Sequence, residues 1–190
     1  MALRLGQRVP ALLALTRFLI LEPGTGRSVG AVRAIRGILN SGATRSGDEQ
    51  TIKITLAMGK PAANKAEGDF GPEETGLAIV GAARLMKETA NPSSEFSQVE
   101  YAYVSLLETL GRKDRAKQHA RTFVGQCYLP YFRAVVDRKW VGAMVSYAFQ
   151  SAAFSTSEDE RPAAQATPDF LEWSRKNASS LVPSRPRSSR

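Results

Sequence analysis

The strongest constraint on the fold is a helical repeat of apolar residues in the second half of the chain. These residues recur at intervals of three and four positions: Phe96, Val99, Tyr103, Leu106, Leu107 and Leu110. Such spacing places their side chains on one face of an α-helix, where a neighbouring element can cover them. The repeat ends at Gly111, and glycine commonly terminates helices. The pattern therefore predicts an amphipathic helix over residues 96–110 that is stable only when it packs against other elements.

The segments around this helix are also predicted to be helical. A second helix over residues 112–129 would form an antiparallel hairpin with the first, because only Gly111 separates them. Further helices are expected from Pro72 to about residue 90, from Trp140 to Phe154, and from Thr167 onward. The predicted fold is mainly α: a small irregular helical bundle, built from the antiparallel helical hairpin plus flanking helices, with extended N- and C-terminal arms.

Length and composition suggest how the chain is organised. Its 190 residues suit one domain with tails, and a hydrophobic content of 43% is enough to form a core. We expect an Arg-rich targeting segment or basic arm at 1–47, a linker with one extended segment at 48–71, the helical domain at 72–178, and a basic Pro/Ser tail at 179–190.

The linker contains a pattern typical of a β-strand. Apolar residues alternate with polar or small ones at Ile52, Ile54, Leu56 and Met58. An alternation of period two indicates a half-buried strand. No hairpin partner is evident in the sequence, and a single strand cannot satisfy its own backbone hydrogen bonds. The segment is therefore predicted to be helical after all, to pair with another chain, or to extend across a surface.

The N-terminal segment has an unusual charge composition. Residues 1–47 carry seven Arg and no Lys, and their one acidic residue is Glu22. An Arg-rich, Ser-containing, acid-poor and amphipathic composition is typical of an organellar transit peptide, since a cationic helix is pulled by an inside-negative membrane potential. This interpretation predicts a mitochondrial protein, either in the matrix or associated with the inner membrane. The alternatives are a pair of ordinary basic helices that belong to the fold, or an RNA-binding arm.

Residue types that perform catalysis are scarce. The chain has one His, His119, and one Cys, Cys127, which is too few for a disulfide framework or a Cys/His zinc cage. On a continuous helix the two side chains would point about 80° apart, which does not suit a catalytic pair. We predict no catalytic residue, no metal site, no cofactor and no enzymatic activity, with His119 and Cys127 in structural roles.

A Gly-rich run at residues 24–28 has a partial likeness to a phosphate-binding loop. Such a loop follows a strand and needs a Lys that reaches the β- and γ-phosphates. Here Arg27 takes the place of the Lys, and the planar guanidinium does not fit the same cradle. A nucleotide-hydrolysing function is therefore the least favoured hypothesis.

A cluster of basic residues is the candidate binding site. On the predicted 112–129 helix the cations are Lys113, Lys117 and Arg121 at four-residue spacing, with Arg112 and Arg115 beside them. Such a stripe suits a solvated surface, docking on an acidic protein, or phosphate contacts with RNA. Three aromatic residues downstream are near enough to stack on bases, namely Tyr128, Tyr131 and Phe132.

These observations favour a non-catalytic protein that works inside a larger particle. We expect an accessory or assembly subunit of a mitochondrial complex, such as the respiratory chain, the ATP synthase or the mitoribosome. Its partners would be other protein subunits, with RNA as a further candidate and with only peripheral membrane association. The alternative is an RNA-binding structural protein, either a mitoribosomal component or a helical nucleocapsid or coat protein, that uses its basic arm and helix. The net charge of +8 is compatible with both hypotheses.

Overall fold

A computed structural model describes residues 7–41, 45–46, 53–54, 69–90, 95–150 and 168–178. Within these ranges the elements are α1 (Arg8–Leu21), α2 (Gly26–Asn40), β1 (Arg45–Ser46), β2 (Lys53–Ile54), α3 (Gly71–Ala90), α4 (Glu95–Gly111), α5 (Lys113–His119), α6 (Phe123–Cys127), α7 (Leu129–Asp137), α8 (Val141–Ala148) and α9 (Pro168–Ala178). The helices pack together, so the predicted helical bundle is confirmed. The outer parts of the predicted arms, residues 1–6 and 179–190, lie outside the described residues.

Helix α4 lies at the centre of the bundle, as its apolar repeat predicts. It contacts α3, α7 and α8, and five of its apolar side chains are at most 3% exposed: Val99, Tyr103, Leu106, Leu107 and Leu110. The Tyr103 hydroxyl shares a hydrogen bond with the Thr16 hydroxyl of α1. Burial raises the pKa of Tyr103 above its ordinary value of 10. The face read from the sequence is therefore the face that holds the fold together.

The N-terminal segment was expected to form an arm separate from the helical domain, but its first helix packs in the core. Helix α1 is buried on almost every side, and Leu12, Leu13 and Leu19 have no exposed surface. A helix that is apolar all round is stable only inside a core. Its two arginines do not prevent burial, because Arg8 pairs with Glu74 and Arg17 lies over the Tyr131 ring at 4.1 Å. The helical body therefore includes residues before the predicted start at 72.

Helix α2 begins with a capping box in the run that has a partial likeness to a phosphate-binding loop. The Thr25 hydroxyl accepts from the Ser28 amide at 3.3 Å, and the Ser28 hydroxyl accepts from the Thr25 amide at 3.1 Å. Gly24 adopts a φ of +75° in the turn between α1 and α2, a conformation that favours glycine. The segment before this turn is helical, whereas a phosphate-binding loop follows a strand. The turn thus joins two packed helices.

The predicted lone strand has a partner. Strand β2 pairs antiparallel with β1, with Arg45 opposite Ile54 and Ser46 opposite Lys53. The expectation that this strand lacks a hairpin partner was wrong, because β1 lies at the end of the Arg-rich segment, where no apolar residues alternate to indicate a strand. The remaining residues of the predicted strand, 51–52 and 55–58, lie outside the described ranges.

The second arm of the predicted hairpin is broken into shorter helices. Helix α5 ends at His119 and α6 begins at Phe123, with Thr122 as its cap. The Thr122 hydroxyl donates to the His119 carbonyl at 2.8 Å and accepts from the Gly125 amide at 3.0 Å. Because one threonine serves the end of one helix and the start of the next, the chain turns here instead of continuing to residue 129.

The later helices agree with the sequence pattern where they are described. Pro130 lies in the first turn of α7, a position that proline tolerates. Helix α8 covers the first part of the predicted 140–154 helix, and residues 151–154 lie outside the described ranges. Helix α9 docks through Phe170, which is fully buried. Within the described part of the chain, no helix is both long and apolar enough to cross a membrane.

Candidate binding groove and a buried charge cluster

A groove of about 530 Å³ lies between the C-terminal half of α4, α5 and α7. Its apolar lining comes from Leu107, Ala116 and Val136. Its charged lining comprises the cations Arg112, Lys113, Lys117 and Arg133 and the anions Glu108 and Asp137. The groove therefore combines an apolar surface with four positive charges against two negative ones.

A second depression of about 220 Å³ continues the groove along α4. The two share Glu108 and Val136, and the second is also lined by Glu100, Val104 and Lys139. From Glu100 to Gly111 the α4 axis rises about 16 Å, or three helical turns. The two depressions adjoin at these shared residues, and their combined lining is called here the α4 groove.

Helix α7 ends beside this surface in a left-handed turn. Lys139 adopts a φ of +58°, and its amide donates to the Val136 carbonyl at 2.9 Å. The next amide, that of Trp140, donates to the Val135 carbonyl at 2.9 Å. This pair of bonds is the Schellman arrangement, which usually has glycine where Lys139 stands. The turn fixes the lysine at the wall of the α4 groove.

The structure divides the five predicted contact residues into three groups. Arg112, Lys113 and Lys117 line the α4 groove. Arg121 is exposed in the turn after α5 and does not line it, because α5 ends at His119 and the four-residue spacing no longer holds. Arg115 lies against Glu73 in a buried contact and is removed from the candidate binding surface.

Arg115 belongs to a buried cluster that joins α5 to the start of α3. Its Nε donates to Glu73 Oε1 at 2.6 Å, and a terminal nitrogen donates to Glu73 Oε2 and to the Asp69 carbonyl. His119 Nε2 lies 3.4 Å from Glu73 Oε1, and the imidazole stacks on the Phe70 ring with centroids 4.2 Å apart. A carboxylate, a guanidinium and an imidazole thus meet in one place.

The electrostatics of this cluster favour an ionised carboxylate. Burial alone would raise the pKa of Glu73, whose side chain has no exposed surface. Hydrogen bonds from His119 and Arg115 outweigh burial and lower that pKa from 4.5 to about 2. Glu73 also lies in the first turn of α3, where the helix dipole favours negative charge. The carboxylate therefore carries its charge in the folded state.

Space beside the cluster is very limited. The cavity that borders Glu73 measures about 10 Å³, which is at the limit for a single water molecule. His119 has no exposed surface. Its Nδ1 has no hydrogen-bond partner in the described part of the chain. The cluster thus pins α3 to α5, which agrees with a structural role for the histidine.

The neighbouring acid, Glu74, holds α1 in the same way. Its Oε2 accepts from Arg8 Nε at 2.6 Å, and its Oε1 accepts from the Val9 amide at 2.7 Å. The second bond satisfies an amide in the first turn of α1, which has no side-chain cap of its own. Glu73 and Glu74 both lie in the first turn of α3, and each is at most 3% exposed.

The lone cysteine is buried, as expected for a small structural thiol. Cys127 is 5% exposed, and burial raises the pKa of its thiol. The angle of 80° to His119 assumes a continuous helix, and the break at residues 120–122 removes that geometry. Among the described residues, no three His, Cys, Asp or Glu side chains form a group that could hold a metal ion.

Some groove residues could not be found from the basic stripe. Arg133 and Asp137 come from α7, and Glu108 comes from α4, so only the packing of three helices unites them with α5. Arg133 is separated from the stripe in sequence by Pro130 and the α6 helix. Its Nε is buried and has no hydrogen-bond partner in the described part of the chain.

No protein-family model matches the chain, and neither a curated protein nor a solved structure matches it.

Proposed function

We propose that this chain is a non-catalytic accessory or assembly subunit of a larger mitochondrial complex, and that it binds another subunit through the α4 groove. The supporting observation is the groove itself, which joins an apolar lining of Leu107, Ala116 and Val136 to a cationic rim. When a partner covers apolar surface of this kind, that surface is removed from water, which favours binding. The host complex in this proposal is respiratory, ATP-synthase or ribosomal.

Protein is a better match than RNA for such a surface. An RNA-binding protein of this type would stack bases on exposed aromatic rings. Of the three aromatic residues considered for stacking, Tyr131 is 3% and Phe132 is 1% exposed, and Tyr128 packs edge-on against Phe123. The groove lining is aliphatic, which suits apolar side chains of a protein partner.

The proposal also limits how the N-terminus is processed. Removal of roughly 20–45 residues, as expected for a transit peptide, would take α1 out of the core together with the Arg8–Glu74 pair. The mature subunit in this proposal therefore keeps α1, and the Arg-rich composition acts in import without loss of the helix. Sequencing the N-terminus of the mature protein is expected to find Arg8 and all later residues.

A native-gel experiment tests membership of a complex. The full chain carries a small C-terminal tag, is expressed at its natural level, and is located by mass spectrometry of native-gel slices from fractionated cells. We expect it in the mitochondrial fraction, in a particle far heavier than its own 20.6 kDa. Migration as a 20.6 kDa monomer, or recovery outside mitochondria, would contradict the proposal.

A further inference from the structure

We propose that the α4 groove binds an amphipathic α-helix of a partner protein, with acidic residues of that helix facing α5. This inference rests on the proposed function, because it names the chemistry of the partner at the same site. It goes further by assigning a shape, a charge and an orientation to the bound segment. The groove geometry, the free cations and the uneven distribution of charge each contribute to the argument.

The shape of the groove suits a helix. The surface follows α4 for about three turns, and a helix packed along another helix keeps contact over such a length. Helices bound in grooves insert apolar side chains at positions i, i+3 or i+4, and i+7. Val104, Leu107 and Val136 provide the apolar surface for these side chains.

The cations of the groove are available to a partner. Within the described part of the chain, no hydrogen bond or ion pair engages the side chains of Lys113, Lys117 or Arg133. In contrast, Arg115 on the same helix is fully engaged with Glu73. Burying unpaired charges under a neutral or basic partner would be costly, whereas carboxylates would pair with them.

The charge distribution sets the orientation. The depression beside α5 has four cations against the two anions Glu108 and Asp137, whereas the second depression has the anions Glu100 and Glu108 against the single cation Lys139. A helix with its acidic residues at the α5 end places opposite charges together, and the reverse orientation places carboxylates beside Glu100 and Glu108. Like charges brought together across an interface oppose binding and thereby fix the register.

Site-specific photo-crosslinking in the native cells tests the identity of the bound segment. The full chain carries a photoreactive amino acid at Ala116, which is half-buried at the groove. A second version carries it at the exposed Gly30 of α2 as the positional control. We expect the Ala116 crosslink to map to an acidic amphipathic segment of another protein, and the Gly30 version to leave that segment uncrosslinked.

Charge reversal provides the matched control. Lys113→Glu with Lys117→Glu is expected to reduce the Ala116 crosslink about tenfold or more. Arg121→Glu with Arg175→Glu makes the same change in net charge at exposed positions outside the groove, and it is expected to keep the crosslink. Loss of the crosslink in both pairs would mean that overall charge, and not the groove, attracts the partner, which overturns the inference.

A pair of synthetic peptides tests the same charge rule in solution. Both are amphipathic helices of about four turns with the same Leu positions, one with Glu and the other with Lys at the polar positions. Fluorescence polarisation is expected to show that the purified full chain binds the Glu peptide and that added salt weakens binding. The Lys113→Glu, Lys117→Glu variant is expected to reverse the preference.

The outcomes separate the two proposals. A crosslink to RNA, to a basic or neutral segment, or to nothing overturns the inference, as does equal binding of the two peptides. If the chain nevertheless migrates in a heavy mitochondrial particle, the proposed function stands and only the assigned occupant is wrong. If the chain migrates as a monomer while the Glu peptide binds through the groove, the proposed function fails and the chemistry of the site stands.

Discussion

The two faces of α5 carry the same kind of charge in opposite situations. On the inner face, Arg115 meets a carboxylate from α3 and is almost completely buried. On the outer face, Lys113 and Lys117 line an open groove and remain exposed. The difference is decided by Glu73, which lies 42 residues earlier in the chain than Arg115. A cation becomes part of the fold or part of a surface according to what the bundle places opposite it.

The largest expected effect comes from removing the carboxylate on the inner face. Glu73→Ala leaves Arg115 and His119 facing each other without their anion, and breaking a buried pair usually costs about 3–5 kcal/mol. Because the Arg115 side chain keeps 11% exposure and can turn toward water, we expect the free energy of unfolding to fall by about 3 kcal/mol. Urea denaturation monitored by circular dichroism measures this loss.

The matched control for this substitution lies at the groove. Glu108→Ala makes the same chemical change at an exposed residue on the outer side. Its effect on the free energy of unfolding is expected to stay within about 0.5 kcal/mol. Equal losses for the two variants would show that the inner and outer faces do not differ as described.

Acid should weaken the inner face selectively. The folded-state pKa of Glu73 is lowered to about 2 from 4.5, so the carboxylate stabilises the fold above pH 4.5. That contribution is lost as the pH falls from about 5 toward 2, and it amounts to on the order of 3 kcal/mol. Urea denaturation at a series of pH values measures the trend. The Glu73→Ala variant should show a flatter dependence, and an unchanged dependence would assign the acid sensitivity to other groups.

A smaller effect is expected from a substitution at Gly125, which lies close to His119 at the end of α5. A Cβ atom on Gly125 would lie 1.8 Å from the His119 carbonyl oxygen, so the backbone must shift to admit it. We expect Gly125→Ala to lower the free energy of unfolding by about 1–3 kcal/mol. Thermal denaturation followed by circular dichroism detects this loss as a lower midpoint.

A glycine in open space offers the comparison for this substitution. No atom lies within 4 Å of a Cβ placed on Gly30, which is inside α2. Gly30→Ala is therefore expected to stabilise the protein by about 0.5–1 kcal/mol through the better helix propensity of alanine. If Gly125→Ala also raised the thermal midpoint, the close approach at His119 would be refuted.

Local patterns in the sequence were sufficient for the parts of the fold that local physics controls. The apolar repeat of α4 predicted its buried face, and a helix from Pro72 to about residue 90 was predicted where α3 lies. Three of the five predicted contact cations do line the groove. These features depend on spacing along one helix, which a sequence displays directly.

Features that depend on distant partners were missed. The acid beside Arg115 comes from α3, and Arg133 of the groove comes from α7, so no spacing within α5 could reveal either. The buried state of α1 was obscured by its arginines, whose charges are compensated by Glu74 and by the Tyr131 ring. The break after His119 depends on Thr122. Its hydroxyl bonds to the His119 carbonyl, and this local hydrogen bond competes with continuation of the helix.

The position of α1 has a consequence for biosynthesis. This helix is made before α3 and α4, yet its Arg8 contact is 66 residues away and its Thr16 contact is 87 residues away in the sequence. The apolar segment must therefore leave the ribosome before α3, α8 and α9, which pack on it together with α2, have been synthesised. Contacts of such separation form slowly, and uncovered apolar segments aggregate or recruit chaperones in the interval. The nascent chain thus depends on protection of α1 until α3 and α4 have been synthesised.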